Sequence, residues 1–143
     1  MRRRTSESGQ AIVWVAVMLP LFLSVIGLAI DGGIVFSARR ELQNVADSAA
    51  RAGATQIDER RYRDSGGTVV AIAKGQAEEL AAGAIQTQAA DVEAAIAADQ
   101  DRVVVQVWRE VPTSFLRLAN IDTVRVGAKG EARVLRGIRE GGK

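Results

Sequence analysis

Residues 11–30 read AIVWVAVMLPLFLSVIGLAI, twenty consecutive residues without a charge. At about 1.5 Å rise per residue, a helix of that length spans roughly 30 Å, the thickness of a bilayer hydrocarbon core. Twelve of the twenty are Leu, Ile, Val or Phe. At about −0.3 to −0.6 kcal/mol each, they favour insertion by roughly 4–7 kcal/mol. Pro20 and Ser24 oppose this weakly, and both are tolerated in membrane helices. A buried helix of a soluble domain is the first rival, but a chain of 143 residues has too little material to surround such a segment. A cleavable signal peptide is the second. It needs a basic start, an apolar core and a small-x-small site, which GLA at Gly27–Ala29 supplies. The apolar run is longer than the roughly 7–15 residues usual for such peptides.

Arg2, Arg3 and Arg4 precede the run, and Arg39 and Arg40 follow it. Basic residues at the start favour a cytoplasmic N-terminus, and a long following segment is translocated largely regardless of its charge. The expected organisation is a cytoplasmic basic N-terminus over 1–10 and a transmembrane helix over 11–30. An amphipathic helix continues over 31–60, and a small extracytoplasmic α+β domain occupies 61–143. Trp14 is read as an interfacial aromatic at one boundary of the span, with Asp31, Gly32 and Gly33 at the other.

Beyond Gly33 the periodicity changes. Val35, Ala38, Leu42, Val45, Ala49 and Ala52 recur at spacings of three and four, one face of a helix. The prediction is one long helix, or two nearly continuous ones, from about Gln10 to Ile57, with Gly32–Gly33 as a flexible joint. The stripe serves either packing on the chain's own domain or contact between copies through the N-terminal helix. RDSGGT, Arg63–Thr68, reads as a loop. Ala73, Ala77, Leu80, Ala81, Ala84 and Ile85 mark a second, weaker helix.

Three strands are expected after it. DVEAAIAA alternates Val92, Ala94 and Ile96, and Asp99–Asp101 is a turn signal. RVVVQVWREV alternates Val103, Val105, Val107 and Val111, and Pro112 stops it. TSFLRLAN reads as a short helix capped by Thr113 or Ser114. DTVRVGAKGEARVL alternates Val124, Val126, Ala128, Ala132 and Val134. The fold class is therefore α+β, with a long N-terminal helix, a second helix and a three-stranded antiparallel sheet.

Composition narrows the function. The net charge of +2 is too balanced to indicate nucleic-acid binding, and none is expected. Arg125, Lys129 and Arg133 share one face of the last strand, which reads as a solvated surface, with anionic polymer or DNA binding as the alternative. The sequence has no Cys and no His, so the commonest metal ligand and general base are absent. No cofactor, metal site or enzymatic activity is expected. An anchored module that binds a ligand or anionic wall polymer stays open.

A basic start, GQA, an apolar span containing LPL, then AIDGG and ARRELQNVADSAARAGA follow one another over Gly9–Ala54. This order resembles the Tad/Flp pilus-assembly proteins of the TadE/TadG-like group. VPTSFLRLANIDTVRVGAKGEARV, Val111–Val134, resembles the C-terminal part of short members of that group. The resemblance implies a bacterial envelope protein of a type IVb-like pilus system, pilin-like or scaffolding in role, with the membrane and other pilus proteins as partners. It also implies a candidate prepilin-peptidase site at Gly9–Gln10. Pilins and many TadE-like proteins carry Glu at the fifth position after that cut, and Trp14 stands there instead.

Overall fold

The structure is a computed structural model and describes residues 7–134. Its first element, α1, runs from Glu7 to Ala54, 48 residues without interruption. Pro20 lies inside it and removes one backbone donor. Ser24, one turn later, spends its hydroxyl within the helix by donating to the Pro20 carbonyl at 2.8 Å, so a polar residue in an apolar run leaves no unpaired donor. The helix continues through Gly32 and Gly33, where an added Cβ would meet nothing within 4 Å.

The sequence places the end of this helix near Ile57, whereas α1 stops at Ala54. Ile57 instead forms an isolated antiparallel bridge with Ile72, and Asp58 opens a short helix, α2, Glu59–Asp64. The Asp58 side chain accepts the N–H groups of Arg60 and Arg61, each at 3.1 Å. That is an N-cap, which starts a new helix. Gly66 and Gly67 then take positive φ in the predicted loop. The second predicted helix is α3, Lys74–Gln88. The strands follow as β1 (Glu93–Ala98), β2 (Arg102–Pro112) and β3 (Thr123–Arg133), in the spatial order β1-β2-β3. β1 pairs antiparallel with β2, from Glu93 opposite Trp108 to Ala98 opposite Val103.

Two compact units divide these elements. The first holds the described residues up to Phe36 together with Val111–Val124. The second holds Ser37–Glu110 and the described residues from Arg125 onward.

The core of the second unit is built from small aliphatic residues. Ala38, Leu42, Val45, Ala46, Ala49 and Ala50 come from α1, Ala77, Ala81 and Ile85 from α3, and Val103, Val105 and Val107 from β2. Four residues of the sequence stripe, Ala38, Leu42, Val45 and Ala49, are therefore buried within this chain, while Val35 and Ala52 are half-buried. Gly130 on β3 lies so close to the Ala46 backbone that any Cβ would run into it, which lets the sheet approach α1 at backbone distance. At the edge of this core, Arg109 reaches Glu41 at 2.6 Å and Asp91 at 3.6 Å. Arg125 lies 5.1 Å from the Trp108 ring centroid and 3.4 Å from Glu93. Arg125, Lys129 and Arg133 are all exposed, and Arg133 pairs with Glu131 at 2.9 Å.

Candidate functional site

The first unit contains the apolar half of α1. An 18-residue window within it reaches a mean hydropathy of 2.5 and is almost entirely unburied. Ile12, Trp14, Leu19, Phe22, Val25 and Leu28 each expose half or more of their surface. This chain therefore does not use the segment as its own core. The helix is long and apolar enough to cross a bilayer, and its exposed apolar surface is what a membrane anchor presents. Gly9 and Gln10 lie exposed in its opening turns.

Over residues 9–36 of this helix, two residues are fully buried. Gly27 and Asp31 are buried, and Asp31 is only 1% exposed. They are four positions apart, one turn along the same face. What covers them is the connection between β2 and β3.

That connection is a closed loop. At its neck the Thr113 N–H donates to the Asp122 carbonyl at 2.9 Å, and the Thr113 hydroxyl reaches the carbonyls of Ile121 and Asp122. Inside it, Leu116–Ala119 forms a 3-10 turn that ends at Asn120, whose φ of 64° is left-handed. Asn tolerates that region better than most residues. The first N–H groups of such a turn have no partner within it. The sequence assigns their capping to Thr113 or Ser114. The structure corrects this, because Thr113 is committed to the neck and the turn has no side-chain cap of its own.

Asp31 supplies the acceptors instead. Its carboxylate receives the N–H groups of Ser114, Phe115 and Leu116 at 2.7, 2.9 and 2.6 Å. An ionised carboxylate has room for several donors, and charge-assisted bonds of this kind are shorter and stronger than neutral ones. Three bonds account for a charge that would otherwise be costly to bury. One turn earlier, the Phe115 ring lies on Gly27. An added Cβ there would sit 2.5 Å from the Phe115 Cγ and Cδ1 atoms. Asp31 therefore holds the loop's backbone, and Gly27 leaves room for its aromatic ring.

Asp31 is thus engaged inside the chain. Gly32, Gly33 and Trp14, the other boundary residues, make no comparable contact, and Trp14 is 60% exposed. Gly27, Phe115 and Leu116 were not legible as a site. Their separation in sequence hides the contact, although one signal exists. The apolar run resumes after Asp31 as IVF, Ile34–Phe36, so this acid has apolar sequence on both sides.

Among the described residues no three His, Cys, Asp or Glu gather as metal ligands. An open depression of about 500 Å³ beside α2 is lined by Ile57, Glu59, Tyr62 and Arg63, and its Glu59 and Arg63 are joined in an exposed ion pair at 2.9 Å.

Residues 9–56 match the family described as putative Flp pilus-assembly TadE/G-like. No curated protein and no solved structure matches the chain. The matched residues contain the exposed apolar helix, Gly27, Asp31 and the amphipathic stripe as far as Ala52. The likeness to that family extends over 48 of the 143 residues, the segment 9–56.

Proposed function

We propose that this chain is a structural component of Tad/Flp pilus assembly. The α1 helix anchors it in the membrane, with the N-terminus cytoplasmic and the residues beyond the span outside the cytoplasm. One observation carries the reading: the residues that match the family are those that form the exposed apolar helix. The mechanism is physical rather than chemical. The span fixes the chain in the bilayer, and the folded region beyond it engages other pilus proteins.

The chain acts either as a minor pilin-like subunit or as a scaffold that remains in the membrane. Cleavage between Gly9 and Gln10 belongs to the first role. Contact between copies is better supported along the exposed apolar face of Ile12–Ile30 than along the stripe, because Ala38, Leu42, Val45 and Ala49 are already buried within the chain. Deletion of the gene, followed by complementation, tests the reading. Loss of surface pili restored by the wild-type chain supports it. Intact pili in the deletion strain overturn it and favour an anchored binding module.

A further inference from the structure

We propose that the loop Thr113–Asp122 is a membrane-interface element, clipped to the spanning helix by Asp31 and Gly27 and seated against lipid through Phe115, Leu118 and Ile121. The proposal rests on the reading of α1 as a membrane span.

The argument starts from position along the helix. Phe115 lies on Gly27, which is three residues, or about 4.5 Å, inside the end of the charge-free run. The loop therefore lies beside the last turn of the span rather than beyond it. The exposed apolar surface of the helix does not end at Asp31 either. Ile30, Ile34 and Phe36 are 44%, 37% and 64% exposed, and the next charges are Arg39 and Arg40. From Ile12 to Phe36 is about 36 Å of helix, longer than a hydrocarbon core of about 30 Å. Asp31 does not end this surface, because its carboxylate is turned onto the loop and bonded there. The depth of Gly27–Asp31 is then the outer edge of the bilayer.

The loop is suited to that depth. Leu118 is 88% exposed, and Phe115 and Ile121 are 39% and 44% exposed. Single exposed apolar residues are common on proteins. Three within one short loop that packs on a span through Phe115 have the bilayer as their evident neighbour. Arg117 sits among them, and a long basic side chain at an interface keeps its stem in apolar surroundings and its charge at the headgroups.

The backbone adds an independent observation. Irregular chain near lipid needs its polar groups satisfied internally. Here the N–H groups of Thr113, Ser114, Phe115, Leu116, Leu118, Asn120 and Ile121 all have acceptors within the chain.

The test uses the absence of cysteine. Leu118→Cys, Leu23→Cys and Ala95→Cys, each in the full chain, are labelled with a nitroxide and reconstituted in vesicles of phosphatidylethanolamine and phosphatidylglycerol. Leu23 reports the span, and Ala95, exposed on β1, reports water. The expected result is that the Leu118 label, like that at Leu23, loses most of its broadening by a water-soluble nickel chelate and gains broadening by oxygen. Adding Asp31→Ala should return the Leu118 label toward the behaviour of Ala95 while Leu23 stays in lipid. A Leu118 label as accessible to nickel as Ala95, with Leu23 protected, overturns the interface proposal and leaves the span intact. Nickel access at both Leu118 and Leu23 overturns the span reading and the proposal with it.

Discussion

Two glycines on one helix give a matched pair of perturbations. Gly27→Ala and Gly33→Ala make the same chemical change in α1. Each gains about 0.8–1 kcal/mol of helix propensity. At Gly33 the new methyl group meets nothing within 4 Å, so that gain stands alone. At Gly27 the methyl carbon would lie 2.5 Å from the Phe115 ring and 2.7 Å from the Phe115 Cβ. Ordinary carbon contacts lie near 3.5–4.0 Å, so the ring and its Cβ must retreat by about 1 Å. Retreat of the Cβ moves the loop backbone, which is bonded to Asp31. Overpacking of this kind costs about 1–3 kcal/mol. Because the propensity gain is common to both variants, that cost is the expected difference between them. At about 1.4 kcal/mol per factor of ten, the opening equilibrium of the loop shifts by roughly one to two orders of magnitude. Hydrogen exchange read by mass spectrometry on the full chain in nanodiscs reports it in peptides covering residues 113–122. Faster exchange there in Gly27→Ala, with Gly33→Ala unchanged or slower, is the expected result. Equal exchange in the two variants would refute the close approach of Phe115 to Gly27.

Further outcomes follow from the same structure. Asp31→Asn removes the charge and leaves one good acceptor oxygen for three donors, so exchange at Ser114–Leu116 should rise while the helix on either side stays protected. Leu42 is fully buried, so Leu42→Ala should destabilise the second unit by about 2–5 kcal/mol, read by denaturant unfolding in detergent. Asp99 is held below the ordinary carboxylate range first by the Gln100 N–H and then by Lys74, and Glu131 is held below it first by Arg133. A depressed folded-state value means that stability from these groups is present above the ordinary carboxylate range and is lost as pH falls through the folded-state value. Acid titration followed by circular dichroism should therefore show the second unit holding through mildly acidic pH and weakening below it.

The parts of the fold carried by local pattern were legible in the sequence. Alternation in Val103, Val105 and Val107 gives the central strand, and spacings of three and four from Val35 to Ala52 give the buried face of α1. The break after Ala54 was not legible from periodicity, because it depends on Ile57 pairing with Ile72 and on Asp58 starting a new helix. Asp58 is a good N-cap residue, yet it sits in a charged stretch that continues the helical composition. The Asp31 clip is harder still. Its partners lie 83 to 85 residues away, and a carboxylate that binds backbone N–H groups leaves no complementary side chain to search for. The capping expectation failed for the same reason. Thr113 and Ser114 have the residue types of a local cap, while the turn takes its acceptors from a distant helix.

The most direct measurement is the intact mass and N-terminus of the native protein in membrane, sheared-filament and released fractions. The account predicts a chain that retains Ala11–Ile30, either uncut in the membrane as a scaffold or beginning at Gln10 with sheared filaments as a minor pilin. A released chain that begins at Ile30 would show the apolar segment to be a signal peptide and would contradict the membrane-anchored account.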